Sequence, residues 1–331
     1  MRQQSVCNIL SFDYSDFDVY LNVRAFYSLC GYAKIRRSYS SDSSLVVVLR
    51  GSPPHLFPDY HGILHVYDYV REFSIDYRTF FPNASSIIYV SIHPTDTLSI
   101  SDQFLYGYLP VLPQLWLANA LPCANSHTPV HIGNYKPIVN DSFQEQLISL
   151  IKNRIVTVYG GKWDRRNIKA TPVSYLMANS ILSRSPLCFG LMYPYQRGSS
   201  LSGRMWQAPL HGCPVISEPG TNCFDCPGVI EVADFLTISL RSHLPIDRSA
   251  LSHAASAFWL KKTELLAKDL NLNLVLNRKS IRKQILVSRC LLFSQHIVFL
   301  WSTYVAPFFG RFKSRLASKL RYIKSCFFSG V

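Results

Sequence analysis

The stretch from Leu187 to Glu218 holds the residues whose types and spacing could bind a phosphate group. Its pattern predicts a strand, a Gly/Ser-rich loop, a helix, a tight turn and a second strand. Free N–H groups at such a helix start attract anions, and guanidinium groups beside them could neutralise a diphosphate. The polar residues that we assign to this site are Arg197, Ser199, Ser200, Ser202 and Arg204. An ordinary capped surface helix with incidental arginines would explain the same pattern.

The run from Trp206 to Ile216, WQAPLHGCPVI, resembles the nucleotide-sugar-binding signature of GT-B glycosyltransferases, which include exostosin-like and bacterial sugar transferases. That signature has Glu-Ala before a Gly-x-Pro-Val turn, and this chain has Gln207-Ala208 before Gly212. The resemblance implies an α/β fold with two Rossmann-like domains facing a cleft, and it implies that Gln207 binds the donor ribose. It also implies that the donor pocket is lined by Gly133, Lys162, Glu218 and Gly220.

Ser199 stands where retaining members of this superfamily carry a second Glu, so the resemblance favours donor binding more than a retaining mechanism. An inverting transfer needs a general base, which the N-terminal domain supplies in this superfamily. Asp68 and His93 each follow a predicted strand, and they are our candidates for this base. The alternative interpretations are a helix cap at Asp68 and a turn residue before Pro94 at His93.

No residue pattern supports a metal ion or another cofactor. Asp16-Phe17-Asp18 has the spacing of a metal-diphosphate motif, but no nucleotide-binding unit precedes it. Cys223 and Cys226 are one pair without a second pair or a well-placed His, which is weak evidence for zinc. We therefore expect a metal-independent protein. The sequence signatures of P-loop, dinucleotide-binding and α/β-hydrolase sites are absent as well.

Continuous apolar strands that alternate with helical stretches predict parallel sheets covered on both faces. In the first half, the predicted strands cover 44–49, 62–67 and 86–92. The pattern restarts after 110–129, a segment with four prolines that we interpret as a linker. We therefore predict an N-terminal acceptor domain over residues 1–125 and a C-terminal nucleotide-sugar-binding domain over residues 126–277. Hydrophobic residues are 48% of the chain, which excludes wholesale disorder.

The net charge of +14 over 331 residues is concentrated at the end of the sequence. Residues 278–331 hold 11 Lys/Arg and no acidic residue, which leaves +3 for residues 1–277 and excludes a uniformly basic nucleic-acid binder. Apolar residues recur every three or four positions from Phe309 to Phe327, which predicts a basic amphipathic helix on an anionic membrane surface. A bilayer span over 290–310 and a partner-binding or nucleic-acid-binding helix are the alternatives.

The odd number of cysteines, nine, and an N-terminus without an apolar signal segment predict a cytoplasmic protein, here peripheral to the inner face of the membrane. The predicted function is transfer of a sugar from a nucleotide-sugar donor to a glycan or lipid-linked acceptor in cell-surface polysaccharide synthesis. Two alternatives stay open. One is a nucleotide-sugar epimerase on the same fold, and the other is a non-catalytic membrane-binding or nucleic-acid-binding protein.

Overall fold

Two α/β units make up the protein, each built around a parallel sheet. The structure is a computed structural model. The residues that it describes are 6–11, 17–39, 43–49, 53, 55–67, 75–91, 103–106, 109–119, 128–138, 141–192, 203–222, 225–239 and 246–307.

Six parallel strands form the first sheet. In chain order they are β1 (Val6–Ser11), β2 (Lys34–Arg36), β3 (Leu45–Leu49), β4 (Ile63–Tyr67), β5 (Ser86–Ser91) and β6 (Gln103–Tyr106). Their order across the sheet is β2-β1-β3-β4-β5-β6. The central strand β3 is buried along its whole length, because helices and loops cover both faces of the sheet. The predicted strands are confirmed as β3, β4 and β5, and the other three are additional.

Helix α1 (Phe17–Leu29) follows β1. It ends because Gly31 takes a φ of +96°, a left-handed conformation that a side chain disfavours. Val23 and Phe26 of α1 are fully buried against the strands. The first turn of α1 holds Asp18, which therefore lies at the edge where the parallel strands end.

Five parallel strands form the second sheet, in the order β11-β10-β9-β7-β8. They are β7 (Val130–Ile132), β8 (Thr157–Tyr159), β9 (Cys188–Gly190), β10 (Val215–Ser217) and β11 (Val229–Glu231). The accompanying helices are α3 (Ser142–Lys152), α4 (Tyr175–Leu182), α5 (Gly203–Leu210) and α6 (Leu236–Ser239). Asp141 and Ser174 cap α3 and α4, since each side chain accepts a backbone N–H of the first turn. The α/β fold class is confirmed.

The proline-rich segment follows the first sheet in the chain and precedes the second, and its described part, residues 110–119, is packed. Pro113–Leu117 forms a short helix, α2, whose start tolerates proline because the first helical N–H groups need no partner. Trp116 is 1% exposed, and its ring meets Trp206 of α5 edge to face with centroids 4.9 Å apart. The indole N–H of Trp116 also donates to Asn22 Oδ1 of α1 at 3.0 Å. The segment therefore joins the cores of the two units.

A long helix, α7 (Arg248–Asp269), ties the two units together. Trp259 packs beside α5, whereas Leu266 lies in the core of the first sheet. Thr263, between them, accepts the N–H of Val111 at 3.1 Å. At the other end, Arg248 donates to Ser185 O at 2.8 Å after the end of α4. Residues 248–269 thus contact the cores of both units.

Helix α8 (Arg278–Leu300) begins at Asn277, whose side chain accepts the N–H of Ser280, and it packs on α1, α2 and α4. Continued by one π-helical turn, residues 278–305 form the one helix in the described part of the chain that is long and apolar enough to cross a membrane. The amphipathic stripe predicted from Phe309 to Phe327 lies outside the described residues.

Candidate functional site

A small pocket of about 10 Å³, roughly the room of one water molecule, opens at the carboxyl ends of β7 and β8. In parallel α/β sheets this edge is where ligands bind. Cationic, amide and aromatic side chains line the cavity. Its lining residues are His131, Asn134, Tyr135, Lys136, Gln144, Trp163, Leu191 and Arg204. We call it the β7 cavity.

Arg204, in the first turn of α5, lies across the end of β7. A Cβ atom on Gly133 would lie 3.0 Å from Arg204 Nη2, so glycine is what allows the guanidinium to come this close. Arg204 Nη1 is 3.3 Å from Nδ1 and 3.4 Å from Nε2 of His131. Two of the predicted donor-binding residues, Gly133 and Arg204, are therefore brought together at the β7 cavity.

His131 is neutral and fully enclosed. Its Nδ1 donates to the Phe189 carbonyl at 2.8 Å, which leaves Nε2 as an acceptor facing Arg204. Burial, helped by the charge of Arg204, lowers the pKa of His131 to about 3. Because the imidazole carries no charge, it does not repel the Arg204 guanidinium beside it.

Two other histidines are held neutral by burial, which lowers the pKa of His65 and of His211 to about 4. The unfolded chain takes up protons near the ordinary value of 6.5, whereas the folded chain resists them. We therefore expect the free energy of unfolding to be highest above pH 6.5 and to fall by several kcal/mol as the pH approaches 4, about 1.4 kcal/mol per pKa unit and group.

Urea unfolding followed by tryptophan fluorescence across this pH range would measure that decrease. The variant His65→Gln serves as the control, since it removes one of the three groups and should reduce the slope. A free energy that stays constant from pH 6.5 to 4 would contradict the neutral burial of these histidines.

Two glycines let the loops after β7 and β8 meet. Gly160 has a φ of +133°, and a Cβ there would lie 2.1 Å from the Gly133 carbonyl oxygen. Trp163 then donates its indole N–H to that same oxygen at 2.7 Å, and Gly161 donates its N–H to Asn134 Oδ1 at 2.6 Å. The floor of the β7 cavity therefore depends on backbone contacts that a side chain would break.

We expect Gly160→Ala to destabilise the protein by about 3 kcal/mol or more, because backbone strain and a backbone clash coincide there. Gly220→Ala is the matched control: its φ is +76°, but nothing lies within 4 Å of the added Cβ, so about 1 kcal/mol is expected. Urea unfolding of the two variants would test this. An equal decrease in the free energy of unfolding for both variants would show that the contact with Gly133 does not contribute to stability.

Lys162 does not line the β7 cavity. It is exposed, with a left-handed φ of 67°, and it begins the short 3-10 turn Trp163–Arg166. The lysine that lines the cavity is Lys136, which was not among the predicted site residues. Gln144 of α3 fixes the loop that carries it, because its amide donates to Lys136 O at 2.8 Å and accepts Ile138 N–H at 3.0 Å.

Gln207 lies one turn along α5 from Gly203 and is 5% exposed. Its Nε2 is buried without a hydrogen-bond partner among the described residues. Leaving such a donor unsatisfied costs about 1–3 kcal/mol, so this amide is suited to a group that binds from outside the chain. The structure places Gln207 in the same helix as Arg204 but does not bring it into the lining of the β7 cavity.

Glu218 and Gly220 follow β10. Glu218 is 1% exposed and accepts the N–H of Met192 at 2.8 Å, which fixes the end of β9. Gly220 lies in an exposed turn. The remaining predicted site residues lie outside the described part of the chain; they are Asp68, His93, Arg197, Ser199, Ser200 and Ser202.

Asp18 of the first unit lies against the start of α5 in the second unit. Its Oδ2 is 2.7 Å from the position that a Cβ on Gly203 would take, and its Oδ1 is 3.5 Å from the Tyr175 hydroxyl of α4. The side chain is 8% exposed. In the sequence this residue stands out only as part of the Asp-x-Asp spacing of a metal motif. Its local signal is its place in the first turn of the helix that follows β1.

The described residues contain no group of three or more His, Cys, Asp or Glu side chains that could hold a metal ion. Cys226 packs in the core beside Met205, and burial raises the pKa of its thiol to about 12. Its sequence partner Cys223 lies outside the described residues.

No protein-family profile and no curated protein matches this sequence. Solved structures do match. The DNA-modifying enzyme β-glucosyltransferase, determined with and without uridine diphosphoglucose, aligns over 81% of this chain and 100% of its own, with a TM-score of 0.54 and 9% identity. HepE of Anabaena, in complex with UDP and glucose, aligns over 81% and 99%, with a TM-score of 0.50 and 10% identity. The chain has the GT-B glycosyltransferase fold.

The GT-B fold confirms the prediction of two Rossmann-like units that face each other. Within it, the β7 cavity belongs to the second unit, and Asp18 reaches the start of α5 from the first. A second structure of T4 phage β-glucosyltransferase aligns over 81% of this chain and 100% of its own, with a TM-score of 0.50 and 8% identity. At this level of identity, the likeness establishes the fold.

Proposed function

We propose that the protein transfers a sugar from a nucleotide-sugar donor to a glycan or lipid-linked acceptor. The observation that carries the proposal is the β7 cavity, where Arg204 and Lys136 meet amide and aromatic groups at the ligand-binding edge of a GT-B fold. Two of the similar structures contain, or were determined with, uridine diphosphate sugars or their parts. A uridine diphosphate sugar is therefore the first donor to test.

In this proposal the donor diphosphate lies at the start of α5, against the Arg204 guanidinium. The predicted loop residues Arg197, Ser199, Ser200 and Ser202 would add further donors, and Lys162 would approach from the rim. Gln207 offers its unsatisfied Nε2 to a hydroxyl group of the donor. Gly133, Glu218 and Gly220 shape the surrounding loops. A guanidinium suits this place because it pairs with phosphate oxygens through two parallel N–H groups.

We propose Asp18 as the general base. Its carboxylate takes the proton of the acceptor hydroxyl, and the acceptor oxygen forms a bond to the anomeric carbon. The bond from that carbon to the diphosphate oxygen breaks, and the nucleoside diphosphate leaves with the electron pair. Arg204 and Lys136 stabilise its charge. Asp68 and His93 stay as the alternative bases.

Because two cations of the chain line the β7 cavity, we propose that transfer needs no metal ion. Turnover should then be unchanged when EDTA is added. We also propose that the protein acts in cell-surface polysaccharide synthesis, in the cytoplasm at the inner face of the membrane, with residues 278–331 as its attachment. The large excess of Lys/Arg over that segment supports this position.

Thermal unfolding of the full chain with a panel of nucleotide diphosphates and nucleotide sugars tests the proposal. A donor at 100 times its Kd should stabilise the folded state by about 2.7 kcal/mol. A shift with one nucleotide, followed by release of that nucleotide only when an acceptor is present, would support glycosyl transfer. Conversion of the donor without any acceptor would point to an epimerase, and no shift with any member of the panel would contradict donor binding.

A further inference from the structure

Helix α8 and the π-helical turn that continues it expose a row of large apolar side chains to solvent. Leu286, Phe293, Ile297, Trp301 and Tyr304 are 62%, 56%, 52%, 58% and 51% exposed. The first three follow one another at intervals of seven and four residues, which places them on one side of an α-helix with 3.6 residues per turn. Trp301 and Tyr304 continue the row through the π-helical turn, at intervals of four and three residues. The row is about 27 Å long at 1.5 Å per residue. We call it the outer face of α8.

The opposite side of α8 is fixed to the rest of the protein. Gln284 donates to Ser28 Oγ of α1 at 2.7 Å, and Ser288 and Leu292 are buried. His296 Nδ1 lies 2.8 Å from Ser174 Oγ at the start of α4. Arg289 donates to the Ala118 carbonyl, after α2, at 2.8 Å. Polar contacts along four turns therefore hold the helix against both units.

These contacts decide how α8 can meet a bilayer. A crossing orientation would break them and transfer Gln284, Arg289 and His296 into hydrocarbon, where unpaired polar and charged groups are costly. A helix that keeps its inner side on the protein can place only its outer face in the membrane, so its axis runs parallel to the surface.

Charge identifies the kind of surface. Lys279, Arg282 and Lys283 are exposed and lie on the same side of the helix, directly before the apolar row. Over residues 278–331 the chain carries no acidic residue, so a second copy would bring only like charge to this face. Anionic lipid headgroups complement the three cations, and Trp and Tyr are suited to the boundary between headgroups and acyl chains.

We infer that the outer face of α8 inserts into the headgroup boundary of an anionic membrane, with the helix parallel to the bilayer. This inference deepens the membrane attachment within the proposed function, and it names the surface that makes the contact. It would also keep both α/β units on the water side, at a fixed distance from a lipid-linked acceptor.

Vesicle co-sedimentation of the full chain tests the inference. The wild type should bind phosphatidylglycerol-containing vesicles and bind phosphatidylcholine vesicles far more weakly. The double variant Phe293→Ser/Ile297→Ser should bind about a hundredfold more weakly, since each large apolar side chain is worth at least about tenfold. The control, Leu56→Ser/Leu236→Ser, removes two other exposed leucines and should bind as the wild type does.

A second variant changes charge alone. Lys279→Gln/Arg282→Gln/Lys283→Gln should lose about a hundredfold on anionic vesicles and change little on neutral ones. Thermal unfolding of each variant establishes that it is folded. Donor binding without vesicles should be the same in all of these variants. If no nucleotide binds but vesicles still do, the proposed function is contradicted and the membrane inference is not.

Unchanged vesicle binding by Phe293→Ser/Ile297→Ser would overturn the inference and move the contact to another segment, such as residues 308–331. Self-association without vesicles that the same variant abolishes would overturn it too, because the outer face of α8 would then be a dimer interface. Protein that alkaline carbonate cannot release from membranes would show a spanning helix and would have the same consequence.

Discussion

Asp18→Asn is expected to lower kcat by a factor of about 100 to 10,000 while donor affinity stays within a few fold, the range that removal of a general base produces. Asparagine keeps the size of the side chain and can still meet the Tyr175 hydroxyl, but it cannot accept a proton. The measurement is the initial rate of nucleoside diphosphate release with saturating donor and acceptor. The donor dissociation constant is measured in parallel.

The pH dependence of kcat/KM distinguishes a general base from a residue that only holds the two units together. As the base, Asp18 must be ionised, so kcat/KM of the wild type falls at low pH, and that fall should be missing from the residual activity of Asp18→Asn. As a tether, it would affect thermal stability and leave kcat unchanged. Asp164→Asn, an exposed aspartate of the second unit, is the control.

If Asp18→Asn retains the wild-type kcat, Asp18 is excluded as the base. Asp68→Asn and His93→Gln, measured in the same assay, would then identify which of the two alternatives takes the proton. If all three variants lose activity but bind the donor normally, the carboxyl end of the first sheet binds the acceptor, and the result does not identify the base.

Much of the fold could be predicted because continuous apolar strands are a local signal. Val46, Val47 and Val48 of β3 form a continuous β-branched run, which favours a strand buried on both faces. β1 escaped prediction because Asn8 interrupts its apolar pattern. That asparagine is nonetheless fully buried, since its amide donates to Ser43 Oγ at 3.0 Å. Its partner lies 35 residues away, so no local pattern could reveal it.

The candidate site divides in the same way. Arg204 and Gln207 could be predicted because a contiguous motif carries both. Lys136 could not, since it faces the β7 cavity only because Gln144 fixes its loop. The position of Asp18 could not be predicted either, because it depends on how two helices pack: Asp18 lies beside Gly203, which is 185 positions away in the sequence. Residues that chain neighbours position are accessible from sequence, and residues that tertiary contacts position are not.

Arg204→Ala is expected to weaken binding of a nucleoside diphosphate about 10-fold to 100-fold, the loss of about 1.5–3 kcal/mol that charge-assisted hydrogen bonds contribute. The size of the effect follows from the environment of the guanidinium. It lines the β7 cavity beside His131, whose neutral ring does not repel it. Isothermal titration of the full chain with the nucleotide selected by the thermal panel would measure it.

Two comparisons decide what such a loss means. Arg165→Ala removes an exposed arginine of the same unit and controls for a general change in charge, so its affinity should match the wild type. Arg204→Lys keeps the charge but not the planar fork, and it should fall between wild type and Arg204→Ala. Equal affinity in all four proteins would place the diphosphate away from the β7 cavity. Since Arg204 also contacts His131, equal thermal stability of the variants is needed before lost affinity is assigned to lost phosphate contacts.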